Sequence, residues 1–546
     1  VQYSRRHGLR LIGPSSMGIV SSLVGNELAA TAAEGTITPG RVAISMQSGS
    51  LGASVLHTAT DLGLGFSWFV SLGDKSDVSA NDLLQFWQDD DATSVIALYT
   101  ESLGNPGKFA RIARRVSATK PIVAVRTGAA LVGVGNEALY RQTGVIEVPT
   151  VTALLDTVRV FANEPPMRGD RVALIAYARS PEVLGTATLA AAGLTVVRPD
   201  KLLSWRNRPV DYGPVIEDAL ADDDIDAVMV IHAPPMTAAI GGAAPTISEV
   251  AEGRTKPVVA VTLGHGDGAI ASGDRSVASF AFPEQAAAAL GRLRAHGRWL
   301  DDELAEEVSE PSSIDRRRAA EIIDQYIDQP LTPPEAIVDL LDSYGIDMPP
   351  TSRVAIDKAV DVAGAIGYPI AIKALRRHPG RSVEAGIALD LTSDADVEEA
   401  VTAMVAHLED DAAEVFVQPM LPPGVDVRVH VRLDERLGPV ITVGLGGVQA
   451  DAIADESSRL VPISPAVAHS MVSATRAAAL LDDAGIDAFS DIATRLAQLA
   501  SDHPEIVEID LNPVIIADGD ARVADAFVRL DPGGRPTRAF RRLEDG

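Results

Sequence analysis

The chain has 546 residues, a formal net charge of −28 and no cysteine. Its length corresponds to three or four globular domains of about 150 residues each. The negative charge disfavours nucleic acid and membrane surfaces as partners, and the lack of cysteine excludes disulfides, thiol nucleophiles and cysteine-bound metals. Because no apolar run approaches a bilayer span and no signal-peptide pattern opens the chain, we expect a cytoplasmic protein.

The first residues predict an incomplete domain. The chain begins at Val1, and residues 9–14 have the pattern of a strand followed by a Gly-Pro loop. No earlier strand is present to pair with it. We therefore assign residues 1–36 to the end of a truncated domain, with a portion missing before Val1.

Short apolar strands alternate with Ala-rich helical stretches from about residue 40 to residue 300, a pattern typical of parallel sheets covered on both faces. Residues 162–167 interrupt the series and a fresh strand follows. The pattern predicts two successive flavodoxin-like α/β units, over residues 37–165 and 166–298. The predicted strands cover residues 42–44, 95–99, 121–125, 172–177, 227–231 and 258–261.

One turn in the first α/β unit has the features of an anion site. Gln47, Ser48 and Gly49 follow a predicted strand and open a helix. Small residues at a helix N-terminus leave backbone N–H groups free to bind a phosphate. Met46 stands before them where a hydroxyl would strengthen the site.

Residues 299–330 are charged and helical, and we interpret them as a linker helix whose three arginines, Arg316 to Arg318, form a solvated face. Beyond residue 330 the pattern changes to α+β and continues to residue 546. The longest predicted strands there cover residues 414–418, 425–431 and 439–444.

Lys373 ends the predicted strand of residues 369–373, where a lysine can reach a phosphate or extend into water. A glycine-rich stretch at Gly444, Gly446 and Gly447 lets the backbone approach an anion closely, although turns use glycine too.

Glu508, Asp510 and Asn512 lie on one face of a predicted strand, and a neighbouring strand can bring Asp525 alongside. Oxygen ligands of this kind suit Mg²⁺ that is held together with substrate phosphates. The alternative is a polar strand face without a metal.

These motifs occur in the same order as in the ATP-grasp domain of the NDP-forming acyl-CoA synthetases, relatives of succinyl-CoA synthetase, which residues 331–535 resemble. The first unit resembles the same family at residues 9–18, 45–52, 71–78 and 98–102. The resemblance implies an α/β protein with five parts. These are a partial Rossmann-like CoA-binding domain (1–36), two flavodoxin-like succinyl-CoA-ligase domains (37–165 and 166–298), a linker helix (299–330) and an ATP-grasp domain (331–546).

The resemblance also implies ligands: ATP or ADP, Mg²⁺, and CoA or acyl-CoA. It implies that Lys373 contacts phosphates and that Val417, Gln418 and Met420 line the adenine hinge. Asn512 and Asp525 are implied as Mg²⁺ ligands. Further candidates are Asp426, Gly446 and Gly447 for the nucleotide, Glu508 for the metal, and Gln47, Ser48 and Gly49 for phosphate.

The family passes a phosphoryl group through a histidine in a His-Thr-Gly-Ala motif, and the matching position here is Arg126. Arginine stays protonated and cannot accept a phosphoryl group as a nucleophile. Glu101, which would orient that histidine, is expected to pair with Arg126 instead. A second family histidine maps near His378, two residues out of register. His57 and His430 are interpreted as structural or surface residues.

Two functions follow from the resemblance. The first is an ADP-forming acid–CoA ligase that interconverts acyl-CoA, ADP and phosphate with the acid, ATP and CoA. The second is an inactive module that senses acyl-CoA and nucleotide, as in bacterial proteins that fuse this region to a GNAT-type lysine acetyltransferase. A third alternative is a purely structural scaffold, which would leave Lys373, Asn512 and Asp525 without a chemical role. Because family members share sites between subunits, the resemblance also implies a homo-oligomer.

Overall fold

The chain divides into two compact units in a computed structural model: the first covers residues 1–136 and 140–305, and the second covers residues 137–139 and 306–546. The structure describes residues 2–23, 27–32, 37–103, 105–125, 134–176, 178–197, 211–232, 243–264, 267–270, 276–303, 310–329, 332–374, 386–408, 413–434, 437–447, 450–453 and 455–533. No helix in these ranges is long and apolar enough to cross a bilayer.

The first unit begins with a seven-stranded sheet of order β2-β1-β4-β3-β5-β6-β7. Strands β4, β3, β5, β6 and β7 run parallel, and the β1–β2 hairpin extends them antiparallel. The strands are β1 (Gly18–Ser21), β2 (Leu28–Thr31), β3 (Pro39–Met46), β4 (Phe66–Ser71), β5 (Val95–Tyr99), β6 (Ile122–Val125) and β7 (Val145–Val148). The helices are α1 (Gln2–Arg6), α2 (Gly49–Asp61), α3 (Ala80–Gln88), α4 (Pro106–Ser117), α5 (Val134–Gln142) and α6 (Val151–Asn163).

A second sheet in the same unit has the order β12-β13-β11-β10-β8-β9, parallel except for β12. Every residue of its central strand β10 is buried, as expected for a strand covered on both faces. The strands are β8 (Arg171–Ala176), β9 (Thr195–Val197), β10 (Ala227–His232), β11 (Val258–Thr262), β12 (Gly268–Ile270) and β13 (Val277–Phe280). The helices are α7 (Arg179–Ala191), α8 (Tyr212–Ala221), α9 (Ala244–Ala251), α10 (Pro283–Arg298) and a π-helical turn, Trp299–Glu303.

The predicted parallel strands of this unit are confirmed, but the strand predicted at residues 9–12 is wrong. That segment has no regular structure. The Leu11 N–H donates to Asp77 and its carbonyl accepts from Val78, so a loop satisfies the backbone instead of a strand. Strands β1 and β2, which lie in the stretch assigned to a separate partial domain, pair with the sheet of the following stretch.

The second unit contains two antiparallel sheets. A four-stranded sheet has the order β14-β17-β15-β16, and a larger one the order β20-β19-β18-β21-β22 with β23 also on β21. The strands are β14 (Ser352–Ala355), β15 (Ile370–Ala374), β16 (Ile387–Leu391), β17 (Glu414–Pro419), β18 (Val425–Asp434), β19 (Gly438–Leu445), β20 (Glu456–Leu460), β21 (Ile506–Ala517), β22 (Asp520–Val523) and β23 (Ala526–Leu530). The helices are α11 (Arg316–Tyr326), α12 (Pro334–Asp342), α13 (Ala359–Ile366), α14 (Asp394–Leu408), α15 (Ala450–Ile453), α16 (Pro465–Ser473) and α17 (Asp483–Asp502).

Helix α11 lies inside the stretch predicted as a linker, yet it belongs to the core of the second unit. Ala319 and Ile323 are buried there. Arg318 donates to Asp339 and Asp342 on α12, and Arg316 donates to Asp502 on α17. Two of the three arginines therefore attach the helix to its neighbours, and Arg317 alone has the fully solvated position predicted for all three.

Candidate functional site

A cavity of about 580 Å³ lies in the second unit, where strands β15 and β17 of the smaller sheet approach β18 and β21 of the larger one. Its polar lining comes from five residues, Lys373, Asp390, Gln418, Asp426 and Asp525. The remaining lining residues are Ala371, Ile387, Leu389, Met420, Leu421, Pro422, Pro423, Gly424, Pro513, Ile515 and Ala524. An apolar cavity with a few convergent polar groups is typical of a small-molecule site.

Lys373 is the buried cation of this cavity. It sits near the end of β15, and its ammonium group donates to the Ala524 carbonyl at 2.5 Å and to Gln418 Oε1 at 3.2 Å. Asp525 lies 3.6 Å from the same nitrogen. The lysine is therefore aimed at the cavity by the strand and held there by oxygen acceptors. A point charge in this position can bind a phosphate.

Of the three predicted hinge residues, two line the cavity and one does not. Gln418 lines the cavity, and its amide nitrogen donates to the Ala524 carbonyl at 3.2 Å. Met420 also lines the cavity. Val417 does not: its side chain is buried in the core of the smaller sheet, and its backbone lies in the ladder between Ser352 and Ile372. Alternation along β17 accounts for this difference, because neighbouring side chains point to opposite faces.

Asn512 and Asp525 lie together, as predicted. The Asn512 N–H donates to the Asp525 carbonyl at 3.1 Å, and the Asp525 carboxylate accepts from the Ala526 N–H at 3.1 Å. No group of three or more acidic or histidine side chains able to hold a metal occurs in the described ranges. Two oxygen side chains fit Mg²⁺, which keeps waters and takes its remaining ligands from substrate phosphates.

Glu508 is separated from this pair. It accepts from His430 Nε2 at 3.2 Å and from Arg529 at 3.0 Å, and its strand position faces Arg432 and Arg529. It lies four positions before Asn512 on the same strand, or about 13 Å away. The face of β21 predicted to hold a metal along its whole length therefore divides into an ion-pair cluster and a separate Asn512–Asp525 pair.

The glycines after β19 serve packing as well as any ligand. A Cβ atom at Gly446 would lie 2.4 Å from the Val427 carbonyl oxygen, so the close approach of β18 already requires glycine there. Gly447 has a φ of 83°, and its N–H donates to Asn512 Oδ1 at 2.7 Å. This contact links the glycine-rich turn to the predicted metal residue.

In the first unit, the predicted phosphate turn is connected to Glu101. The Gln47 side-chain oxygen accepts from the Glu101 N–H at 2.9 Å, while Ser48 is the N-cap of α2 and makes no side-chain cap bond. A Cβ atom on Gly49 would lie 2.5 Å from the Met17 side chain. Burial lowers the pKa of the neighbouring Lys75, and the charge of Glu101 acts in the opposite direction.

Arg126 and His378 lie outside the described residues, so the predicted Arg126–Glu101 pair stays a prediction. His57 is on the exposed surface of α2, 3.9 Å from Asp61. His430, interpreted from the sequence as structural, contacts the Glu508 carboxylate at 3.2 Å. The alternation of valine with Asp426, Arg428, His430 and Arg432 along β18 was the signal that these polar side chains share one face.

Comparison with known proteins assigns the two parts of the chain. Residues 327–530 match the ATP-grasp domain family, and residues 39–161 match the succinyl-CoA ligase like flavodoxin domain. An apo structure of the dinucleotide forming acetyl-coenzyme A synthetase 1 of Ca. Korarchaeum cryptofilum shares the fold, with a TM-score of 0.50 and 23% identity over 55% of this chain and 74% of that chain. The fold and the cavity thus define an ATP-grasp protein with a ligase-type flavodoxin unit.

The chain is 32% identical to the acetate–CoA ligase [ADP-forming] I subunit beta of Pyrococcus furiosus, over 39% of this chain and 98% of the relative. It is 27% identical to the acetate–CoA ligase [ADP-forming] I of Archaeoglobus fulgidus, over 96% of this chain and 82% of the relative. A 4-hydroxybutyrate–CoA ligase [ADP-forming] of Nitrosopumilus maritimus is 26% identical, over 97% of this chain and 84% of the relative. The chain belongs to the family of ADP-forming acyl-CoA ligases, which confirms the predicted family and α/β architecture.

Proposed function

We propose that the second unit binds ATP or ADP together with Mg²⁺ and forms the nucleotide site of an ADP-forming acyl-CoA ligase. The observation that carries the proposal is the position of Lys373, a buried cation that lines a 580 Å³ cavity beside Asp525. The similarity to three ADP-forming ligases agrees with it.

Different side chains of the cavity would bind different parts of the nucleotide. Lys373 would contact the phosphates, and Gln418 and Met420 would flank the base. Asn512 and Asp525 would hold Mg²⁺, which when bound neutralises charge on the phosphates. Asp426, on the wall of the cavity, would lie near the sugar or the metal. The Gly447 N–H keeps Asn512 oriented through the bond to its Oδ1.

The first unit would supply the acyl-CoA and phosphate side of the reaction. Gln47, Ser48 and Gly49 stand at the N-terminus of a 13-residue helix, where a phosphate oxygen can accept backbone hydrogen bonds. Arg126 would bind an anion rather than carry the phosphoryl group, because a guanidinium has no nucleophilic lone pair at neutral pH.

A second candidate is a module that senses nucleotide and acyl-CoA without turnover, as in the GNAT-type acetyltransferase fusions. Arg126 at the family's histidine position is the observation that favours it. ATP formed from ADP, phosphate and acetyl-CoA, measured by coupled luminescence, separates the two candidates. Formation of ATP supports the ligase, whereas nucleotide binding without ATP formation supports the sensor.

The nucleotide site is tested with Lys373→Ala. Hydrogen bonds to a charged group contribute about 1.5–3 kcal/mol, so ATP affinity should fall about 10- to 100-fold in titration calorimetry with Mg²⁺. Lys358→Ala is the matched control, since it removes the same charge from an exposed position in the same unit. Equal affinities for the two variants, with unchanged melting temperatures, would overturn the proposal.

A further inference from the structure

The larger sheet of the second unit has a polar face that continues beyond the cavity. Val427, Val429 and Val431 of β18 point into the core, so Arg428 and His430 between them point to the opposite face. We call this the open face, defined by Asp426, Arg428, His430 and Arg432 of β18 and by Glu508, Asp510 and Asn512 of β21. It contains residues that the nucleotide site does not use.

His430 is held on the open face by a carboxylate. Its Nε2 donates to Glu508 Oε1 at 3.2 Å, and its side chain is 19% exposed. A carboxylate accepts hydrogen bonds, so this contact places the ring proton on Nε2 and leaves the lone pair of a neutral ring on Nδ1. Arg529 donates to the other carboxylate oxygen at 3.0 Å and fixes Glu508 in turn. A histidine oriented by a carboxylate is a common form of activated nucleophile.

The strand register places His430 close to the predicted metal residues. His430 lies directly opposite Asp510, and Asn512 is two residues further along β21. Diagonal neighbours on one sheet face are about 7–8 Å apart, within reach of a phosphate bound through a metal at Asn512. Arg428, two residues before His430 on β18, donates twice to Asp510, each at 2.8 Å. It therefore neutralises a carboxylate that would otherwise repel a phosphate there.

We propose that His430 accepts the γ-phosphoryl group of a nucleoside triphosphate bound in the cavity, with Glu508 as a positioning residue. This inference rests on the proposed nucleotide site. His430 Nδ1 forms the N–P bond as the bond from the γ-phosphorus to the β–γ bridging oxygen breaks, and that electron pair leaves with ADP. The Nε2 proton passes to the Glu508 carboxylate. In the reverse direction the phosphohistidine returns the group to ADP.

The proposal gives the chain a nucleophile despite Arg126. It requires no cysteine, of which the sequence has none, and no histidine from the first unit. A phosphoryl group on His430 would lie on the same face of the sheet as Arg428 and Asn512.

The test uses the full chain with MgATP labelled in the γ-phosphate, followed by mapping of acid-labile, base-stable label by mass spectrometry. We expect label on His430 and none in His430→Asn, with ADP affinity unchanged in the variant. Glu508→Gln should slow labelling at least about tenfold, as loss of an orienting partner does for a metal-bound histidine, and Glu508→Asp should restore part of the rate. His469→Gln, on the surface of α16 in the same unit, should label normally.

Three results would overturn the proposal. Wild-type chain that binds ADP but takes up no label shows that His430 is not an acceptor. Label that persists in His430→Asn shows that another residue accepts the group. If the wild-type chain binds neither ATP nor ADP in calorimetry, the nucleotide site itself is wrong and the inference falls with it. Melting temperatures of the variants separate these outcomes from misfolding.

Discussion

At the scale of single residues, a fully buried ion pair joins Glu164, which ends α6, to Arg254, which follows α9. Their side chains are 0% and 2% exposed, and two hydrogen bonds of 2.7 Å connect them. The Val258 N–H donates to the same carboxylate at 2.9 Å. The pair therefore connects the end of the first sheet's last helix to the start of β11 in the second sheet, within the first unit.

Replacing Glu164 by Gln should destabilise the first unit by about 3–5 kcal/mol, because it leaves the Arg254 charge buried without a counter-ion. Urea unfolding followed by tryptophan fluorescence measures the effect, since all four tryptophans of the chain lie within residues 1–305. The matched control is Asp301→Asn, which breaks an exposed pair with Arg168 and should cost less than about 1 kcal/mol. Similar losses of unfolding free energy for both variants would show that burial of the Glu164–Arg254 pair does not set its contribution.

At the scale of elements, α11 lies in the stretch predicted as a linker but packs as part of the core of the second unit. Its arginines attach it to α12 and α17, and Ala319 and Ile323 are buried against the second unit's core. Arg317 is 89% exposed on the same helix and pairs with Glu321 one turn away. One helix thus offers a buried and an exposed position for comparison.

Ile323→Ala should lower the stability of the second unit by about 2–5 kcal/mol, the usual cost of a large-to-small change in a core. Arg317→Ala should change it by less than about 0.5 kcal/mol. Calorimetry detects the transition of each unit, and the tryptophan signal should not move, because residues 306–546 contain no tryptophan. A linker helix would tolerate both substitutions equally.

At the scale of the whole molecule, hydrophobic patterning predicted most of the fold. The runs at residues 95–99 and 227–231 were assigned correctly because a buried parallel strand is apolar throughout, and its position needs no knowledge of its partners. Residues 9–12 have the same local pattern but form no strand. The Leu11 N–H donates to Asp77 and the Leu11 carbonyl accepts from the Val78 N–H, so both backbone groups are already bonded to a loop. A pattern cannot reveal which backbone group is already bonded elsewhere.

The candidate site was predictable only in part for a similar reason. Alternation placed Glu508, Asp510 and Asn512 on one face, which is correct, but the partners of each side chain come from other strands. Arg529 and His430 engage Glu508, Arg428 engages Asp510, and Gly447 engages Asn512. Register across β18, β21 and β23 sets these pairs, and register depends on contacts distant in sequence.

The first unit should lose stability in mild acid because of a histidine where α10 meets α6. His296 stacks on Trp299 at 5.7 Å and packs edge-on against Phe161. Burial lowers its pKa from 6.5 to about 4, and a hydrogen bond to the Gly144 backbone offsets this only in part. The folded state therefore holds the ring neutral while the unfolded chain takes up a proton. Stability falls as the pH drops below about 6.5, and the loss levels off below about 4.

The loss amounts to about 2 kcal/mol at pH 5 relative to pH 7, from about 1.4 kcal/mol per unit of pKa difference. His296→Phe keeps an aromatic ring in place without the titration, so its urea midpoint should fall less between pH 7 and pH 5 than that of the wild type. Burial raises the pKa of Asp156 in the same unit, which favours the folded state in acid, but this contribution cancels in the comparison. His57→Gln, at an exposed position, should retain the wild-type slope. Parallel pH profiles for His296→Phe and the wild type would show that the buried ring does not control the acid response.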